Sequence, residues 1–277
     1  MDTPTHDPAL SLSVFIRFFR CSSVFRFSIS GNPAGMLLKL THGPRLCFLM
    51  RHPKMILFDL DGTLLDSAPD LAFSVNVMLL KFGLPPCGEE DVRAWVGNGT
   101  ARLLGRALTG SLDGDPGAAR VAEALPVFMA AYAENTLVRS TLYPGVREGL
   151  ATLAAAGYPL GCVTNKAGRF TTPVLRGMGL LDLFGIVLSG DTLPEMKPHP
   201  APLLHAAAHF NVAPGDSLLV GDSITDVQAA RAAGFGIVCL SYGYNHGRDI
   251  REGQPDAVLD RLTELPGLLE GLQQSRS

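Results

Sequence analysis

Two aspartates separated by one residue, Asp59 and Asp61, follow directly on the short apolar run 55–58. In a continuous strand both side chains would share one face. Where a strand ends and the backbone turns, the pair can converge on one reacting atom. Gly62 permits that turn and Thr63 adds a hydroxyl. The chemistry suited to such a pair is attack on phosphorus. Asp59 is placed as the nucleophile that becomes an aspartyl-phosphate. Asp61 is placed to protonate the leaving oxygen and then to activate water. A second carboxylate would be superfluous in a site that only held a metal ion. An acidic pair alone also caps helices or sits in solvent, but three later segments argue against that reading.

The sequence VTNK ends an apolar run with Thr164 and Asn165, ahead of a helical stretch. The Thr164 hydroxyl and the Asn165 backbone N–H suit phosphoryl oxygens, although such a pair also serves as an N-cap. In KPHP, Lys197 precedes two prolines and could neutralise both a nucleophilic carboxylate and a phosphate; the alternative is an exposed loop lysine. His199 reads as a turn residue. In GDSITD, Asp222 and Asp226 flank a helix start four positions apart and can share a face. With Asp59 and the Asp61 carbonyl they would form an oxygen-rich shell suited to Mg²⁺. Asp226 would equally suit the positive end of a helix dipole.

The elements that must position these groups follow from the apolar pattern. Runs at 55–58, 159–163, 186–188, 217–220 and 236–240 are short and bounded by Gly, Asn or Asp, as expected of buried parallel strands. Ala/Leu-rich stretches at 146–156, 169–178, 201–210 and 226–233 are expected to be helices, with Gly157, Gly179 and Gly234 as their stops. The alternation predicts an α/β fold with a doubly wound parallel-sheet (Rossmann-like) core, in which ligands bind at the carboxyl ends of the strands. The interval 68–142 breaks the pattern. It holds no convincing strand, and 71–82, 99–108 and 118–136 read as helices, so an inserted α-helical cap is expected there. The core would then comprise 55–67 and 143–272, with the tail after Leu272 frayed.

The 277 residues carry a formal charge of -3 and a mean hydropathy of +0.21. The charge does not suit a nucleic-acid partner. Residues 1–54 hold seven Lys/Arg and two Asp; subtracting these from totals of 23 and 26 leaves 16 basic and 24 acidic residues in 55–277. Three readings of this basic leader stay open: a targeting peptide, a loosely docked or disordered extension, or a start assigned too early, with Met50 or Met55 the true one. The last is preferred. Arginines interrupt its apolar stretch, so neither a membrane span nor a secretory signal is expected. The 5 cysteines form no CxxC pair, which argues for a reducing, cytoplasmic setting; Cys162 and Cys239 read as core thiols.

DLDGTLLDS, VTNK, the KPHP lysine and GDSITD, in that order and spacing, resemble the four motifs of the haloacid dehalogenase-like hydrolases. The resemblance covers about residues 55–265 and implies their α/β core with a helical cap. It implies Asp59 as the phosphorylated nucleophile, Asp61 as acid/base, and Thr164 and Lys197 as holders of the phosphoryl group. Mg²⁺ would be bound by Asp59, the Asp61 carbonyl and Asp222, with Asp226 supporting. Dehalogenase relatives lack the second acid of the first motif, so Asp61 favours phosphoryl transfer. The leader has no counterpart in the family pattern.

Within the family, WVGNG at 95–99, GDTLP at 190–194 and YGYNHG at 242–247 are similar to bacterial phosphatases of 2-phosphoglycolate, which implies a small phosphorylated organic acid as substrate. A cap that selects it must close tightly and offer donors to its carboxylate. Asn98, Gly99 and Arg102 are candidates, Arg102 otherwise lying on a solvated helix face; Trp95 reads as packing. His246 reads either as a surface-turn residue or as part of the site edge. Rival readings are a phosphatase of sugar phosphates or N-acetylmuramic acid 6-phosphate, a phosphomutase like β-phosphoglucomutase, and a non-catalytic module; the last is disfavoured by the completeness of the motifs.

Overall fold

The computed structural model describes residues 52–274. Nearly all of the basic leader lies outside them. Its last residues belong to the folded unit: Pro53 is buried and the Lys54 N–H donates to the Asp216 carbonyl at 2.7 Å.

A 6-stranded parallel sheet forms the core, in the order β5-β4-β1-β6-β7-β8. The strands are β1 (Met55–Phe58), β4 (Leu160–Val163), β5 (Ile186–Leu188), β6 (Ser217–Gly221), β7 (Gly236–Leu240) and β8 (Ala257–Leu259). Alternate side chains of β1 enter two different cores. Ile56 and Phe58 pack on one side of the sheet, Met55 and Leu57 on the other. Burial on both faces is why these strands read as unbroken apolar runs. Helices α5 (Val146–Ala155), α6 (Gly168–Gly177), α7 (Ala201–Phe210), α8 (Ile224–Ala233) and α9 (Leu265–Gln274) complete this part. Gly157, Gly179 and Gly234 sit at positive φ just past helix ends, as expected.

Register brings the chemistry together. Phe58 pairs with Cys162 on β4 and with Val220 on β6. The residues just beyond these strand ends, Asp59, Thr164 and Asp222, therefore emerge side by side.

The expectation of no strand within 68–142 needs one correction. A two-residue β3 (Thr141–Leu142) pairs antiparallel with β2 (Leu65–Asp66); so short a pair leaves no alternating pattern to read. Between them lie α1 (Ala68–Lys81), α2 (Glu89–Trp95), α3 (Thr100–Thr109) and α4 (Ala118–Asn135). Their apolar faces form a third cluster around Val75, Met78, Trp95, Leu104 and Phe128, joined by Phe170 and Tyr244 from outside the segment. The two connections to the sheet are clasped by one buried side chain. The Asp70 carboxylate accepts from the Arg139 N–H (2.9 Å), the Ser140 N–H (2.9 Å) and the Ser140 hydroxyl (2.6 Å). Among the described residues, no helix is long and apolar enough to cross a membrane.

Candidate active site

The turn after β1 places Asp59 and Asp61 at the carboxyl edge of the sheet. Asp59 Oδ1 accepts from the Leu60 N–H at 2.7 Å and lies 2.9 Å from Lys197 Nζ. Lys197 is only 2% exposed, so the loop-lysine alternative does not hold. Its ammonium also reaches Asp226 Oδ1 at 2.7 Å. Asp226 is fixed from its other oxygen: Oδ2 accepts from the Ser223 hydroxyl (2.6 Å) and the Ser223 N–H (3.1 Å) at the start of α8. The helix-start reading of Asp226 fits this geometry, and the same side chain also holds Lys197.

Asp222 is locked from both sides. Oδ1 accepts from the Thr63 hydroxyl at 2.5 Å and Oδ2 from the Tyr244 N–H at 2.6 Å. Two glycines make room for it. A Cβ on Gly62 would stand 2.2 Å from Asp222 Oδ2, and one on Gly243 would stand 2.1 Å from Asp222 Cβ.

Oxygens of Asp59, Asp222 and Asp226 lie within 4.8 Å of one another. Burial raises Asp222 well above the carboxylate range, with Asp226 and Asp59 adding to the effect. Burial, opposed by Lys197 and reinforced by Asp226, pushes Asp59 up to about 6. One ammonium is paired with two of three crowded carboxylates, and hard oxygen donors with surplus negative charge are what a divalent cation fits. Asp59, Asp222 and Asp226 are the side chains whose oxygens could hold such an ion.

The second strand end carries Thr164, whose Oγ accepts from the Lys166 N–H at 3.2 Å, and Asn165, whose Nδ2 donates to the Lys197 carbonyl at 2.8 Å. Both face the same cavity as Asp59, Asp61 and Lys197, which has a volume of about 80 Å³. Its roof is the loop from Gly97 to Thr100 and the start of α3. Gly97, Asn98 and Gly99 all have positive φ, at 113°, 61° and 85°. Asn98 lines the cavity and is held at both ends of its amide. Its Nδ2 donates to Thr225 Oγ on α8 at 3.0 Å and its Oδ1 accepts from Arg106 at 3.1 Å.

Arg102 requires a correction. It does not line the cavity; its guanidinium turns to the Gly114 carbonyl at 3.4 Å. The structural arginine is Arg106, one turn further and 5% exposed, which also donates to the Trp95 carbonyl at 2.6 Å. Trp95 is a packing residue, as expected. His246 is half-buried, with Nδ1 2.8 Å from the Ala94 carbonyl. His199 serves its own turn, accepting from the Ala201 N–H at 3.2 Å.

Two further groups went unassigned in the sequence. Lys166 Nζ donates to both oxygens of Asp61, at 3.1 and 3.2 Å, and to the Tyr132 hydroxyl at 2.5 Å. Burial lowers the Lys166 pKa, but Asp61 and Tyr132 more than offset this and hold the ammonium above its ordinary value. Lys166 was visible as the last letter of VTNK. Tyr132 lies in the apolar stripe of α4, where nothing in the linear pattern sets it apart.

A doubly wound sheet with acid, lysine and hydroxyl groups at its strand ends, roofed by an inserted helical layer, defines a class of hydrolase. The family model of haloacid dehalogenase-like hydrolases matches residues 56–240, and the chain belongs to that family. It is 59% identical over 221 residues to a phosphoglycolate phosphatase of Nitrosococcus oceani, covering 80% of this chain and 98% of the relative. It is 49% identical over 217 residues to a phosphoglycolate phosphatase of Nitrosospira multiformis, covering 78% and 96%. Among solved structures, a predicted phosphoglycolate phosphatase from Haemophilus somnus 129PT superposes with a TM-score of 0.74 at 39% identity, covering 79% of this chain and 99% of that one.

Proposed function

We propose that this chain is a cytoplasmic, Mg²⁺-dependent phosphatase that hydrolyses 2-phosphoglycolate to glycolate and phosphate. The observation that carries the reading is the cavity of about 80 Å³ with Asp59, Asp61, Thr164 and Lys197 on its floor. The first turn of α3 borders it, and its N-cap Gly99 supplies no side-chain acceptor. The unpaired N–H groups there suit a second anion, the carboxylate. The names of the similar phosphatases agree with this choice.

The chain's own groups account for the reaction. Lys197 and Thr164 hold the phosphoryl oxygens. An Asp59 oxygen bonds to phosphorus while the bond to the glycolate oxygen breaks, and that oxygen leaves with the electron pair and the Asp61 proton. Asp61, now ionised, takes a proton from water; the water oxygen bonds to phosphorus and the Asp59–phosphorus bond breaks, returning the carboxylate. Mg²⁺, held by Asp59, the Asp61 carbonyl and Asp222, supplies charge neutralisation at the phosphoryl group when bound. The helical segment 68–142 acts as the cap: closed, it excludes water and brings the Asn98 loop over the substrate.

The test is phosphate release from 2-phosphoglycolate, sugar phosphates and N-acetylmuramic acid 6-phosphate, with Mg²⁺ and with chelator. A high kcat/KM for phosphoglycolate alone, lost with chelator, is expected. Comparable rates on the larger phosphates would keep the mechanism and overturn the substrate. Release with no acceptor sugar present excludes a phosphomutase.

A further inference from the structure

Tyr132 is the point at which the helical segment touches the acid/base apparatus. It sits on α4, stacked on Phe128 at 5.5 Å between ring centroids and 18° between planes. Its ring edge meets Phe170 on α6, across the gap to the sheet, at 4.8 Å and 67°. This aromatic seat sets the depth at which the hydroxyl arrives. There it accepts from Lys166 Nζ at 2.5 Å, and the same ammonium holds both oxygens of Asp61. An ammonium has three protons to donate; here one goes to the helical segment and two to the carboxylate. Lys166 makes no contact with Asp59, which has Lys197 as its own ammonium.

We infer that Tyr132 and Lys166 are positioning residues that couple cap closure to Asp61. Seating α4 on Phe170 delivers the Tyr132 hydroxyl to Lys166, and Lys166 then holds the Asp61 carboxyl group where it faces the leaving oxygen. Until α4 is seated, the lysine has one partner fewer and Asp61 is less constrained, so the proton is delivered efficiently only over an enclosed substrate. The inference rests on the phosphatase reading above and concerns only the transfer of the Asp61 proton to the departing oxygen. Atoms and charges are those of that step: the phosphorus–oxygen bond breaks, its electron pair stays with the leaving oxygen, and Asp61 supplies the proton.

The test compares two substrates of similar size. Glycolate leaving from phosphoglycolate needs a proton; acetate leaving from acetyl phosphate does not. For both, kcat/KM reports the steps up to loss of the leaving group. Tyr132→Phe keeps the aromatic seat, and Lys166→Met keeps the length and bulk of the side chain, so either variant decides the matter if the other fails to fold. With phosphoglycolate, kcat/KM is expected to fall by about 10-fold for Y132F and about 100-fold for K166M, within the usual worth of general acid catalysis. With acetyl phosphate it should change by less than about 3-fold, and the double variant should match K166M alone, because the two act in series. A pure packing role would lower both substrates alike. Equal losses on both, or additive losses in the double variant, would overturn the coupling while leaving the phosphatase reading intact. Absence of metal-dependent release by the wild-type protein would overturn that reading and the coupling with it.

Discussion

Lys197 and Asp59 form an enclosed ion pair, 2.9 Å from Nζ to Oδ1, and Asp226 fixes the lysine from behind at 2.7 Å. The Asp59 carboxylate is thus held by a cation that is itself anchored to the first turn of α8. Preorganised charge of this kind needs no rearrangement when negative charge builds up on a phosphoryl group.

Asp59→Asn should reduce phosphate release by on the order of 10³-fold or more, because the covalent and metal-binding roles proposed for it fail together. It should leave the melting temperature unchanged or raise it, since it removes one of the crowded carboxylates. Steady-state kinetics and a thermal melt check both parts; retained turnover would remove Asp59 as nucleophile.

Adding Mg²⁺ to chelator-treated protein should stabilise it, by about 2.7 kcal/mol at a hundredfold excess over Kd. The shift reads metal binding without reference to turnover. Asp222→Asn should abolish most of it, because Asp222 is held by Thr63 and Tyr244 at the centre of the acidic cluster. An undiminished shift in that variant would place the ion elsewhere.

Gly62→Ala should be strongly damaging. Its φ of +88° disfavours any side chain, and the new methyl would fall 2.2 Å from Asp222 Oδ2. A loss of about 2 kcal/mol or more in a denaturant melt is expected, together with weakened Mg²⁺ binding. Normal stability and normal metal affinity would show that the turn has slack.

The ion pair between Asp66 and Arg93 should make stability depend on pH. Two hydrogen bonds of 2.9 and 2.8 Å join them, and the Tyr244 hydroxyl adds a third to Asp66. Burial raises the Asp66 pKa, but the bonds from Arg93 and Tyr244 outweigh it and hold the carboxyl below its ordinary 3.8. A depressed folded-state value means that the contribution is fully present above 3.8 and is lost as pH falls from there through the folded value. Denaturant midpoints of wild type and Asp66→Asn should therefore differ at neutral pH and converge under acid. A gap that stays constant would locate the effect in packing alone.

What could be read in the chain depended on which forces left a linear trace. β1, β4 and β6 are buried on both faces, so each appears as an apolar run with a polar residue just past its end. Asp59, Thr164 and Asp222 were legible for that reason. β8 was not expected, since Ala257–Leu259 is short and only partly buried at the sheet edge. The seven-residue α2 was also missed: it opens with three consecutive acids and offers only Val92 and Trp95 to the core. Arg102 and Arg106 lie on one helix with the same charge. Only the fold decides that Arg106 turns inward to the Asn98 loop while Arg102 reaches the Gly114 carbonyl. Lys166 with Tyr132 is the same case at longer range, a contact between residues 34 positions apart on separate elements.

The two-residue strands β2 and β3 and the Asp70 clasp have a consequence for how such a molecule can diversify. Both passages between sheet and helical layer run side by side, so everything between them hangs from one doubled stalk. The stretch can be lengthened, shortened or exchanged as a single cassette without altering the register of any sheet strand. New substrate preferences are thus within reach of changes to one contiguous stretch of the gene, while the groups at the ends of β1, β4 and β6 stay where the sheet holds them.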